Sequence, residues 1–131
     1  MLQSIKGDTL VTFLSKRCSL TMTQLDTLLA SRASERLKEQ IRYRDRAKIS
    51  KGSFLRTLRQ SQENIEACVY TVILLQYLGA LAPDVFEGLT RTGRLMSKLR
   101  ESSPSNDEIM RFVQSLEEYA HTISGRRKLH L

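Results

Sequence analysis

The chain has 131 residues, of which 40% are hydrophobic and 27% are charged. This balance excludes a disordered tail, and the length is typical of one domain. The formal net charge of +7 favours a polyanionic partner.

The positive charge is concentrated in residues 32–59. This segment holds ten lysines and arginines against three acids, a net charge of +7, whereas residues 1–31 carry +1 and residues 60–131 carry −1. A solvated helical face usually interleaves opposite charges, so that side chains four residues apart can pair. Because the acids here are too few to pair with most of the bases, we expect this segment to bind an anionic partner.

Targeting, membrane and metal-binding features are not expected. The apolar run near the N-terminus is too short for a secretory signal. The uncharged stretch of residues 67–82 would span about 24 Å as a helix, short of a hydrocarbon core of roughly 30 Å. Cys18 and Cys68 are far apart and neither lies in a Cys-x-x-Cys pair, so no disulfide or zinc site is predicted. We therefore expect a cytoplasmic protein without a cofactor or metal.

Two local structures fit the start of the chain. Asp8 would cap a short helix that carries Leu10 and Phe13. Thr9 and Val11, however, suit a strand equally well. The sequence leaves both alternatives open.

Two helices are predicted between residues 20 and 50. Thr21 and Gln24 form a capping box ahead of leucines spaced three and four residues apart. A short helix over residues 35–46 follows, and whether it continues the preceding helix is left open. Its inward side chains are predicted to be Leu37, Ile41 and Tyr43.

A longer helix is predicted to begin at Ser50. A serine side chain can accept a hydrogen bond from an unpaired N–H at a helix start. One apolar stripe then runs through residues 54–72, anchored by Phe54 and Leu58. Residues 67–82 are apolar on nearly every side, which requires cover on every side. We expect both a central position in the fold and a dimer, completed by this helix or by the helix over residues 106–123.

Two more helices are predicted in the C-terminal part, after Gly79 and Pro83. The first begins at Pro83-Asp84 and turns one side inward, formed by Val85, Leu89, Thr92, Met96 and Leu99. The second follows a capping box of Ser105 and Glu108, covers residues 106–123 and stops at Gly125.

The predicted architecture is therefore all-α, with five to six helices that include a helix-turn-helix around a central apolar helix. The whole chain, residues 1–131, is expected to form a single helical domain, with the helix-turn-helix at about 35–66 and a tail at 125–131. Residues 67–82 and 106–123 are the candidate dimerisation helices.

Catalysis is not indicated. His121 and His130 are the only histidines, and neither has a Cys, Asp or Glu at the spacing of a metal site or a triad. No glycine-rich phosphate-binding motif is present. The sequence therefore predicts a protein that is not an enzyme.

Residues 43–60, YRDRAKISKGSFLRTLRQ, fit a helix-turn-helix pattern. In that pattern Tyr43 and Ala47 face inward, Ile49 plugs the turn, and Ser50 caps the recognition helix. The stretch ISKGSFLRTL resembles the recognition half of sigma-factor region 4 and of response-regulator output domains, and it is similar to small archaeal helix-turn-helix regulators. Two positions depart from the pattern: Arg44 stands where a small residue is usual, so its side chain would have to extend past the second helix to solvent. Lys48 replaces a turn-prone residue.

This resemblance implies a regulator that reads double-stranded DNA with the helix that begins at Ser50. Arginine can pair bidentately with guanine and glutamine with adenine in the major groove. The expected base-reading residues are Lys51, Ser53, Arg56, Arg59 and Gln60. The expected phosphate-binding residues are Arg42, Arg46, Lys48 and Thr57. A homodimer with half-sites about one helical turn apart is expected, because residues 67–82 form a helix that is apolar on nearly every side.

The alternative is a helical interaction or assembly protein whose basic face binds RNA or an acidic protein. Double-stranded RNA does not admit a helix into its narrow major groove, and sequence-specific RNA binders usually display stacking aromatics. The basic segment has only Tyr43 and Phe54, and Phe54 is expected in the core. These considerations favour DNA.

Overall fold

Six helices make up the ordered elements of a computed structural model, which describes residues 7–44 and 49–126. They are α1 (Thr9–Ser15), α2 (Met22–Ala33), α3 (Leu37–Arg42), α4 (Lys51–Tyr77), α5 (Val85–Glu101) and α6 (Asn106–Ser124). The described residues contain no strand. The all-α prediction of five to six helices is confirmed. The chain divides into two compact units, residues 1–70 and 71–131, and the boundary falls inside α4.

Helix starts in the first unit follow the local signals of the sequence. The Asp8 carboxylate accepts hydrogen bonds from the backbone N–H groups of Leu10 (2.9 Å) and Val11 (3.2 Å), so the helical alternative for this segment is correct. The Thr21 hydroxyl accepts from Gln24 N (3.1 Å), and Gln24 Oε1 accepts from Thr21 N (3.0 Å). This reciprocal pair is the predicted capping box.

Helices α2 and α3 are separate and contact each other. Ser34 lies between them with an extended backbone, and its hydroxyl accepts from Arg36 N and donates to the Glu39 carboxylate. Leu37 and Ile41 are half-buried, as predicted, but Tyr43 is exposed, so its inward placement was wrong. The reason is that α3 ends at Arg42, before the inward stripe reaches Tyr43. Ala47 lies outside the described residues.

Helix α4 is one continuous element of 27 residues, in which the amphipathic stretch is followed directly by the apolar one. It ends in a Schellman arrangement, in which Ala80 N donates to Leu75 O (2.8 Å) and Gly79 N donates to Gln76 O (3.0 Å). This ending requires a left-handed backbone at Gly79, where φ is +72°. The predicted stop at Gly79 is thereby explained.

The expected cover on every side of residues 67–82 is not found within the described residues. Most of the large apolar side chains between Val69 and Leu78 are exposed, and Tyr77 is 86% exposed. A helix that is apolar all round needs neighbours all round. The described helices of one chain do not supply that cover.

In the second unit α5 and α6 bury Val85 and Val113. Of the predicted inward side of α5, Leu89 is the exception, because it is exposed. Gly88 has a packing role: a Cβ there would overlap the hydroxyl of Tyr119 on α6. The structure shows that this glycine makes room for an aromatic ring.

Helix α6 begins and ends as predicted. Ser105 Oγ accepts from Glu108 N (3.3 Å), which is the cap expected at this position. The helix closes in a second Schellman arrangement, with Gly125 at φ +79° and Arg126 N donating to His121 O (2.9 Å).

Candidate nucleic-acid interface

The start of α4 is the structural basis of the candidate interface. Ser50 Oγ accepts a hydrogen bond from Ser53 N (3.0 Å), and Phe54 N donates to Ser50 O (3.0 Å). Ser50 is therefore the cap that the sequence predicts. The positive end of the helix dipole lies at this solvent-exposed end, where an anion such as a phosphate is favoured.

One side of the first three turns is fixed in the protein interior. Phe54 has no solvent exposure, and Ser61, two turns later, is also fully buried, its hydroxyl donating to Leu58 O (2.7 Å). Further along, Asn64 Nδ2 donates to Gln24 Oε1 (3.1 Å) and to Ser19 O (3.3 Å), which ties α4 to the start of α2. These contacts set which side of α4 faces outward.

The outward side carries three of the five predicted base-reading residues. Arg56, Arg59 and Gln60 are exposed and, at about 100° per residue, lie together opposite Phe54. Lys51 is exposed but lies nearer the Phe54 side, and Ser53 is half-buried on the other flank. The structure therefore brings together two arginines and a glutamine, which we call the outer cluster.

The outer cluster is bounded by acids. Glu63 is exposed one turn beyond Arg59 and Gln60, and Glu66 is exposed a further turn along. Their carboxylates would repel phosphates. A polyanion is consequently favoured only along the first three turns of α4.

The predicted phosphate-binding residues are only partly placed. Arg42 is exposed at the last position of α3, and Thr57 is half-buried on α4. Arg46 and Lys48 lie outside the described residues. Three further basic residues of the same segment are exposed, namely Arg32, Arg36 and Lys38.

Arg44 does not belong to this basic surface. Its Nε lies 3.4 Å from Asp26 Oδ2, and the two side chains are only 4% and 6% exposed. The expectation that Arg44 extends to solvent is wrong, because a counter-charge on α2 compensates its burial. Sequence reasoning missed Asp26. Asp26 lies outside the leucine stripe, on the side of α2 that carries the buried Thr27 and Ala30, so the hydrophobic pattern gave no signal of its burial.

The structure was also compared with the features that a metal site, a reactive thiol or a membrane span would need. No three His, Cys, Asp or Glu side chains lie close enough to hold a metal ion within residues 7–44 and 49–126. His121 is exposed in the last turn of α6. Cys18 and Cys68 are both exposed free thiols. None of the helices in the described parts of the chain is long and apolar enough to cross a membrane.

Comparison with known proteins gives no relative: no family model, no curated protein and no solved structure matches this chain. The resemblance to helix-turn-helix regulators thus depends on residues 43–60 alone.

Proposed function

We propose that this chain is a sequence-specific DNA-binding protein, a transcriptional regulator that inserts the first three turns of α4 into the major groove. The observation that carries the proposal is the outer cluster. Arg56, Arg59 and Gln60 are exposed on the side of α4 opposite the fully buried Phe54, directly after a capped helix start. A recognition helix has this arrangement, because its inner side fixes its orientation while its outer side meets base edges.

The chemistry of the outer cluster matches base edges in DNA. A guanidinium can donate two hydrogen bonds to guanine O6 and N7, and a glutamine amide can pair with adenine N6 and N7. Arg56 and Gln60 are four residues apart and therefore neighbours on the helix surface. Neighbouring positions of this kind can contact nearby base pairs in one groove.

We assign the contacts that position the protein on the duplex to basic side chains outside the outer cluster. Arg42 is exposed at the end of α3, and Arg46 and Lys48 precede α4 in the sequence. Phosphate contacts of this kind fix register and contribute most of the sequence-independent affinity. We propose further that the protein has no enzymatic activity and binds its DNA in the cytoplasm.

Binding across a salt series tests this function. The full chain is mixed with genomic duplex fragments, with RNA as competitor. If five to eight phosphates are contacted, log K should fall with log[salt] at a slope of about −4 to −7. A slope near zero, or tighter binding to RNA or to an acidic protein than to any duplex, would contradict DNA as the partner.

A matched variant locates the DNA-binding surface. Arg59→Ala should weaken duplex binding, whereas Arg94→Ala should not, since Arg94 is an exposed arginine on α5, outside the outer cluster. Equal losses in both variants would show that the binding is merely a response to net charge.

A further inference from the structure

The C-terminal half of α4 presents a continuous exposed apolar surface, which we call the apolar face. Its six side chains are between 48% and 86% exposed and form two adjacent rows with a spacing of four residues. They are Val69, Ile73 and Tyr77 in one row, and Tyr70, Leu74 and Leu78 in the other. Leu78 continues the helical turn, because its N–H donates to Leu74 O (3.0 Å).

This surface is too large to be an ordinary feature of a monomer. Its six side chains expose on the order of 700 Å² of mainly apolar area. The largest apolar patch of a typical monomer is about 300–600 Å², and patches above that size usually mark interaction sites. A standard interface buries about 800 Å² on each partner. The apolar face alone nearly supplies one side of such an interface.

The order of the side chains indicates which partner fits. If two copies of α4 pair antiparallel about a two-fold axis between residues 73 and 74, Tyr70 lies level with Tyr77 of the other copy and Ile73 lies level with Leu74. These four central residues then meet large apolar residues, whereas Val69 and Leu78, about 180° apart around the helix, lie on the two flanks. This two-fold self-complementarity is what an isologous dimer contact requires.

The charge distribution supports the same partner. Residues 67–83 contain no charged side chain, whereas the excess positive charge lies in residues 32–59. Two neutral faces do not repel each other when they pair. Pairing through them also brings no residue of the basic segment 32–59 into the contact. We propose that the apolar face is the dimer interface of this protein and binds the same face of a second copy in antiparallel orientation.

This dimer does not depend on the proposed DNA binding, because the apolar face and the outer cluster share no residue.

Sedimentation of the full chain tests the dimer directly. Between about 1 and 100 μM, the mass should rise towards twice that of the 15.0 kDa chain. Leu74→Glu should weaken the dimer by about tenfold or more, because it buries a carboxylate beside the axis without a partner. The control is Leu95→Glu on α5, where the leucine is 48% exposed against 55% for Leu74. This control should leave the dimer unchanged.

The antiparallel register has its own test. Ile73→Lys and Leu74→Glu should each dissociate the homodimer. When the two variants are mixed, the introduced ammonium of one chain faces the introduced carboxylate of the other, so a heterodimer should form. Circular dichroism of each variant checks that the helices persist.

Three results would overturn the proposal. They are a wild-type monomer at 100 μM, an equal loss of dimer in Leu95→Glu, and no heterodimer on mixing folded Ile73→Lys and Leu74→Glu chains. A monomer would mean that another part of the chain or a different partner covers the apolar face. Loss of DNA binding with an intact dimer would leave the interface standing and contradict only the proposed function.

Discussion

In the first half of α4, Phe54 and Ser61 are fully buried, and the exposed positions opposite them carry arginine and glutamine. In the second half of the same helix, Tyr70 and Tyr77 are the most exposed of the large hydrophobic side chains in the described residues, and no charged residue follows Glu66 until Asp84. The backbone hydrogen bonding is alike in both halves, so the difference lies in the side chains and their neighbours. The first half has a buried side, whereas the second half leaves most of its large apolar side chains exposed.

Truncation of one large aromatic residue in each half should separate these two roles most strongly. Phe54→Ala should lower the free energy of unfolding by about 3–5 kcal/mol at every protein concentration, because it leaves a cavity in the interior. Tyr77→Ala should change it by less than about 0.5 kcal/mol where the chain is monomeric, because the ring makes few contacts. At higher concentration Tyr77→Ala should cost more, as dimerisation contributes to stability.

Urea denaturation at several protein concentrations makes this measurement. If Tyr77→Ala destabilises the monomer as strongly as Phe54→Ala does, the second half of α4 is buried within its own chain, and the distinction between the two halves fails.

The second prediction concerns two arginines of the basic segment with opposite surroundings, Arg44 in the interior and Arg56 in solvent. Asp26→Asn should destabilise the protein by about 3 kcal/mol, because it leaves the buried guanidinium of Arg44 beside a neutral amide. The double variant Asp26→Leu/Arg44→Met should recover most of this loss, since it removes both charges. Thermal and urea unfolding of the single and double variants measure the difference, and an Asp26→Asn protein as stable as wild type would contradict it.

The third and smallest effect concerns DNA discrimination. Arg56→Ala should reduce the preference for the specific sequence by about 1–3 kcal/mol at one position and largely spare non-specific binding. Arg42→Ala should weaken specific and random duplexes alike and reduce the magnitude of the salt slope by about one. Competition binding with point-mutated sites distinguishes the two patterns. Identical behaviour of both variants would mean that α4 contributes only electrostatic attraction.

The sequence by itself determined the helices and most of their ends. The caps at Asp8, Thr21, Ser50 and Ser105 and the left-handed stops at Gly79 and Gly125 all act through hydrogen bonds between residues two to five apart. Interactions over so short a range depend on the local residues alone, so they can be read from the chain. The outward position of Arg56 and Gln60 followed in the same way from helical periodicity.

Only the tertiary structure decided what depends on contacts between distant residues. Arg44 and Asp26 are 18 residues apart, and the space beside Gly88 is filled by Tyr119 from another helix. The apolar run from Val69 to Leu78 predicted that its side chains are buried. Whether helices of the same chain bury them depends on how many helices can surround the run. A hydrophobic pattern specifies that a surface avoids water, but it does not specify which chain provides the cover.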